Sequence, residues 1–113
     1  MGALGLMFRD HRVVVVMPAY NAAATLETTH REVLAQGVVD EVIVVDDASG
    51  DRTAAIASRL PSTTLEVHPA NRGYGANQKT CYRLALETDA DIIVMVHPDY
   101  QYTPRLVTAM ASM

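Results

Sequence analysis

The sequence predicts an α/β protein, with helices on both faces of one mainly parallel sheet in a three-layer α/β/α arrangement. Three observations carry this expectation. Apolar runs of strand length alternate four times with segments of helical spacing. Two of those runs, "RVVVVM" at 12–17 and "EVIVVD" at 41–46, are continuously apolar and rich in β-branched residues, as strands covered on both faces are. Polar residues gather directly after three of the four runs, which places them at one end of the sheet. With 113 residues there is room for one domain, and no repeat, charge block or low-complexity linker divides the chain.

The elements follow in order. The opening "MGALGLMF" is apolar but too short for a secretory signal, and no small-residue cleavage site follows it. Leu6 stands where a myristoylation signal needs Ser or Thr, so residues 1–11 read as a tail and 12–113 as the domain. After the first strand and the loop "PAYN", Leu26, Val33 and Leu34 lie at helical spacing within 23–36, and Gly37 supplies the stop. After the second strand, Asp51 is placed to cap a helix over about 52–60, which Pro61 closes. "TLEVH" at 64–68 alternates and predicts a more exposed strand near an edge. "NRGYG" at 71–75 is a loop, and 75–88 predicts a third helix with Thr80, Cys81, Leu84 and Ala85 on one stripe. "DIIVMV" at 91–96 is the fourth strand, and Thr103 followed by Pro104 is a cap-plus-first-turn signature for a last helix.

Right-handed crossovers then give the spatial order third, second, first, fourth. The winding reverses between the first and fourth strands, and ligands of open sheets bind outside the carboxyl ends at such a point. "PAYN" and "HPDYQ" are therefore expected to face each other across one crevice, with "DDASGD" along its side. The outer edge of the fourth strand is left exposed, and an unpaired edge invites pairing with a second copy, so a homodimer is expected.

Composition excludes several classes. A formal charge of −4 and a pI near 5.4 argue against a general affinity for nucleic acid. No apolar run approaches the ~20 residues that span a bilayer. The single cysteine, Cys81, makes no intrachain disulfide and points to a reducing, cytoplasmic compartment. There is no G-x-G-x-x-G after the first strand and no G-x-x-x-x-G-K-[ST] anywhere, which disfavours a dinucleotide site and a P-loop.

Each candidate residue has two readings. Pro18 and Tyr20 leave the first strand; Tyr20 either closes the sheet as a half-buried aromatic or stacks on a nucleobase. Asp46 and Asp47 either receive the next loop's backbone N–H groups or bond a base or ribose, since adjacent carboxylates behind an apolar run are costly if buried unpaired. Arg72 either faces solvent or meets a phosphate. His97, Asp99 and Gln101, spaced two apart at the end of the fourth strand, either share a metal ion or form an ordinary polar strand end. Cys81 and His30 lie on apolar helix faces and read as packed core groups, while His11 and His68 have no partners at metal-ligand spacing.

Four segments, "VVVVMPAYNAAATL", "EVIVVDDASGDRT", "NRGYGANQKTCYRLAL" and "DADIIVMVHPDYQYTP", taken in order with their spacers, resemble the inverting family-2 glycosyltransferases. The likeness is to the branch with dolichyl- and polyprenyl-phosphate sugar synthases. The resemblance implies a Rossmann-like nucleotide-diphospho-sugar transferase fold of the GT-A type. It implies transfer of a sugar from a UDP- or GDP-sugar to a lipid-phosphate or glycan acceptor, in polysaccharide or cell-envelope synthesis at or near the inner face of the membrane. It implies that Pro18 and Tyr20 contact the nucleoside and that Asp46 and Asp47 hold the base or ribose. His97, Asp99 and Gln101 fall on the family's Asp-x-Asp-x-Gln metal motif, which takes Mg²⁺ or Mn²⁺. Here His97 replaces the first aspartate, and a nitrogen ligand suits Mn²⁺ better than Mg²⁺. Ala22 stands where many relatives carry a glutamate. The resemblance implies a general base beyond Met113, so the chain reads as the nucleotide-binding half of such an enzyme, inactive alone. The alternative is a non-catalytic nucleotide-binding or interaction module lacking the acceptor half.

Overall fold

The computed structural model describes residues 10–98. Asp99, Gln101, the helix expected at Thr103–Pro104 and most of the expected tail lie outside them. Four strands form one parallel sheet: β1 (Val13–Ala19), β2 (Glu41–Asp46), β3 (Thr63–Val67) and β4 (Ile92–Met95). Three helices alternate with them: α1 (Leu26–Leu34), α2 (Thr53–Ala57) and α3 (Tyr74–Leu86). The spatial order is β3-β2-β1-β4, with all pairs parallel, as the crossover rule predicts.

The continuous apolar runs are explained by the two cores. Successive strand residues face opposite sides. Val15, Met17 and Ala19 of β1, with Val42 and Val44 of β2, pack under Leu26 and Val33 of α1 and Ala57 of α2. Val14, Val16, Ile43 and Val45 turn the other way, onto Cys81 and Ala85 of α3. Every residue of β1 is buried because both of its faces are covered. β3 alternates half-buried Thr63 and Leu65 with exposed neighbours, as befits an edge strand. Cys81 is buried, and burial pushes its thiol up to about 12, so it is an inert core group.

Helix ends depart from the spacing. Residues 22–25 make a turn rather than helix, with the N–H groups of Thr25 and Leu26 both donating to Ala22 O. Gly37, at φ +77°, ends the segment as expected. α2 has five residues, shorter than the expected 52–60; its continuation tightens into i→i+3 bonds from Arg59 and Leu60 before Pro61. Asp51 acts just before that helix, taking the N–H and hydroxyl of Thr53. No helix among the described residues is long and apolar enough to cross a membrane.

Candidate functional site

The strand ends explain where the sheet opens. Val16 O accepts the N–H of Val96, so the even-numbered residues of β1 turn their backbone toward β4. Pro18 is the next of these and has no N–H to give. The β1–β4 ladder ends at Val16↔Met95, while the β1–β2 ladder continues through Pro18↔Val45 to Ala19↔Asp46. β1 thus runs through Pro18 rather than leaving the sheet there, a correction to the sequence reading, and the sheet parts on the β4 side of it.

A cleft of about 300 Å³ lies at this end. Pro18, Ala19 and Tyr20 line it from β1, and Asp47 from the end of β2. Asn71, Gly73, Tyr74 and Asn77 close it from the loop before α3 and that helix's first turn. Tyr20 and Tyr74 are about half exposed, at 48% and 54%, although both are large aromatics. The floor is held by side-chain amides. Asn77 donates from Nδ2 to Val45 O at 3.0 Å and Ala19 O at 3.4 Å, where β1 and β2 end, and Ala19 O also takes the Asp47 N–H at 2.9 Å.

The two aspartates behave differently. Asp46 is buried and turned into its own loop, accepting the hydroxyl and N–H of Ser49. Asp47 faces the cleft. Its Oδ1 accepts His68 Nδ1 and the Arg72 N–H, each at 2.8 Å, and its Oδ2 accepts the Gly73 N–H at 2.9 Å. Burial disfavours its charge, but these donors outweigh burial and hold the carboxyl below its usual range. Arg72 reaches the site through its backbone, while the residue itself is exposed.

Two loops are laced together beside the cleft. Asn21 N donates to Ser49 Oγ at 2.8 Å, Gly50 N to Asn21 Oδ1 at 2.9 Å, and Ala22 N to Thr53 Oγ1 at 2.9 Å. On the β4 side, His97 lies past the strand end with Nε2 at 2.8 Å from the Tyr74 hydroxyl and the two ring centroids 5.3 Å apart. Gln78 donates to the same hydroxyl at 2.8 Å. The Thr25 hydroxyl donates to Pro98 O, tying the segment after β4 to the turn before α1.

Of the residues singled out in the sequence, the fold brings Pro18, Tyr20 and Asp47 to one cleft, with His97 reaching it through Tyr74. Asp46 sits behind it, and Arg72 beside it. Asp99 and Gln101 lie outside the described residues. Four residues escaped sequence reasoning: His68, Asn71, Tyr74 and Asn77. A signal existed for Asn77, since a polar amide shares the helical stripe of Cys81, Leu84 and Ala85. None existed for His68, whose partners are 21 and 12 residues away.

Comparison with known proteins matches residues 14–113 to the model of glycosyl transferase family 2. The chain is 37% identical over 95 residues to glucosyl-3-phosphoglycerate synthase of Mycobacterium tuberculosis, covering 77% of this chain and 28% of the relative. It is 30% identical over 97 residues to undecaprenyl-phosphate mannosyltransferase of Micrococcus luteus, covering 82% and 40%. Among solved structures, the Mycobacterium tuberculosis synthase with Mn²⁺, UDP and glucosyl-3-phosphoglycerate superposes with a TM-score of 0.70 at 29% identity, over 94% of this chain and 40% of that one. A mannosyltransferase of Pyrobaculum calidifontis with GDP-Man and Mn²⁺ gives 0.71 at 28% identity, over 88% and 31%. The chain therefore spans well under half the length of these relatives. By the match along most of its length, and by a parallel sheet shared with the GT-A glycosyltransferases, the chain belongs to glycosyl transferase family 2.

Proposed function

We propose that the cleft binds the nucleotide of a UDP- or GDP-sugar, and that the protein transfers that sugar, with inversion, to a lipid-phosphate or glycan acceptor. The observation that carries this is the exposed ring of Tyr20 beside Asp47, at the carboxyl ends of β1 and β2 and next to the point where β1 and β4 part. Tyr20 stacks on the base, with Pro18 as the rigid edge beneath it. Asp47 has its charge fixed by three N–H donors, and Oδ2, with one of them, keeps a lone pair for a base N–H or a ribose hydroxyl. Asp46 contributes by fixing the Ser49 turn. Arg72, exposed beside the cleft, meets diphosphate charge.

The reading includes a divalent cation, Mn²⁺ or Mg²⁺, held by Asp99 with Gln101 and His97. Among the described residues no three His, Cys, Asp or Glu side chains converge on one point, and His97 is the described member of the set. Its Nε2 hydrogen bond to Tyr74 fits an imidazole ligand, which is oriented through its second nitrogen. When bound, the cation neutralises the departing diphosphate. Solved structures of relatives with Mn²⁺ and UDP or GDP-Man support a divalent cation beside the nucleotide. A cytoplasmic setting at the inner face of the membrane suits a lipid-phosphate acceptor and a free buried thiol. A homodimer through the outer edge of β4, which has no second partner strand among the described residues, belongs to this reading, and sedimentation velocity tests it.

The decisive experiment is calorimetric titration of the chain with UDP and with GDP. Tyr20→Ala is expected to weaken binding by ~1–3 kcal/mol, by analogy with base stacking on aromatic side chains. Binding of neither nucleotide to the folded chain would sink the reading. Equal affinities for wild type and Tyr20→Ala would remove Tyr20 from the site.

A further inference from the structure

We propose that His68 is a positioning residue of the cleft: it holds Asp47 in the orientation that clamps the Arg72–Gly73 segment, and so fixes the wall from which Tyr74 enters. The consequence for nucleotide binding rests on the function proposed above; the clamp itself does not.

His68 follows β3, and its own N–H donates to Asp46 O at 2.9 Å, so its backbone is fixed to β2. The side chain is 3% exposed and lies between two elements. Nδ1 meets Asp47 Oδ1 at 2.8 Å, and Nε2 meets Thr80 Oγ1 of α3 at 2.9 Å. An ionised carboxylate only accepts, so Nδ1 carries the hydrogen. The imidazole thereby fixes one oxygen of Asp47 against α3. The other contacts of that carboxylate are the N–H groups of Arg72 and Gly73.

The Arg72–Gly73 segment reaches the sheet mainly through Asp47. For residues 71–73, ahead of the helix, the other bond to β2's end is Asn71 Nδ2 to Asp47 O, at a long 3.3 Å, while Asn77 anchors the first turn of α3 separately. Gly73 adopts φ +93°, a conformation open to glycine that local sequence does not otherwise enforce. Tyr74 follows immediately and begins α3. A rotation of Asp47 would release two backbone donors at once and leave a buried carboxylate with fewer partners. The strand ladders and the two apolar cores are built from other side chains.

The test uses this chain and two variants. His68→Leu removes both ring nitrogens, whereas His68→Asn keeps an N–H donor near the Nδ1 position. Amide hydrogen exchange is read at Arg72 and Gly73, with Val15 and Val44 of the central strands as references. In His68→Leu the two loop amides are expected to exchange faster by about tenfold or more, the loss of one charge-assisted hydrogen bond, with the references unchanged. His68→Asn is expected to restore most of the protection. Unchanged loop amides, or equal acceleration of the reference amides, would overturn the proposal. If His68→Leu does not fold, Thr80→Val cuts only the Nε2 anchor, and the same two amides are expected to accelerate while the references hold. Titration with UDP then reads the consequence. About tenfold weaker binding in His68→Leu, recovered in His68→Asn, supports the link, and undiminished affinity with a freed loop overturns it. A wild type that binds neither UDP nor GDP would defeat the proposed function, while the exchange data would still decide the clamp.

Discussion

Ala48 sits in the turn after β2 with φ +60°, and Asn21 and Ser62 share that left-handed region at +50° and +54°. Asn tolerates it, but a Cβ next to the following carbonyl costs roughly 1–2 kcal/mol at Ala48. Ala48→Gly removes the clash and adds roughly 0.5–1 kcal/mol of chain entropy to lose on folding. The variant is expected to gain up to about 1 kcal/mol in urea unfolding. A clear loss would mean that the methyl group packs usefully there. His97 carries a second prediction. An aspartate would add an oxygen ligand and a charge, so His97→Asp is expected to raise Mg²⁺ affinity in the presence of a nucleoside diphosphate. Should neither His97→Asp nor Asp99→Asn alter Mg²⁺ binding by titration, "HPDYQ" is only a strand end.

At the scale of elements, α3 does more than cover a sheet face. Its stripe of Cys81 and Ala85 packs on β1 and β2, and one turn earlier Asn77 bonds the carbonyls that end those strands. Asn77→Leu keeps the approximate volume and removes this side-chain donor, while Ala19 O keeps the Asp47 N–H. It is expected to cost about 0.5–1.5 kcal/mol in denaturant unfolding, the net worth of a lost hydrogen bond. Lys79, on the exposed side of the same helix, is the control, and Lys79→Ala is expected to stay within about 0.5 kcal/mol. Equal effects at both positions would deny Asn77 a role in the floor. α1 is tied by packing: Leu26 is fully buried between the helix and the sheet, and Leu26→Ala is expected to cost about 2–5 kcal/mol.

For the whole molecule, four groups set the pH range of stability. Asp47 and Asp51 are both held below the ordinary 3.8, because hydrogen-bond donors outweigh burial. His30 is lowered from 6.5 by burial, partly offset by Pro61 O. In each case the unfolded chain takes up protons at a higher pH than the folded one. Stability therefore falls as pH drops below about 6.5 and falls again below about 3.8. Cys81 has the opposite sign: its folded value near 12 exceeds the ordinary 9.0, so stability declines again above about 9.0. Urea unfolding across pH is expected to show a plateau between the His30 and Cys81 limits, and His30→Gln to remove the first acid step. A wild type equally stable at pH 5 and 7.5 would show that His30 does not titrate on unfolding.

Fold class, strand order and the end of the sheet that carries the cleft were legible in the sequence. Continuous β-branched runs demand two covered faces, and alternation with helices leaves few parallel topologies. The same logic brought Pro18, Tyr20 and Asp47 to one place from positions 18–47 of the chain. Helix ends were less legible, because residues 22–25 and 58–60 continue the spacing while their backbone tightens into turns. What only the tertiary structure decided is how the polar groups pair. Asp46 and Asp47 are adjacent and chemically identical, yet one turns into its own loop and the other toward His68, Arg72 and Gly73. Strand alternation sends neighbouring side chains to opposite faces; Asp46 meets Ser49 of its own loop, and the partners of Asp47 come from the segment between β3 and α3. Burial selects those pairs, since a carboxylate inside the fold must find donors wherever the packed elements put them.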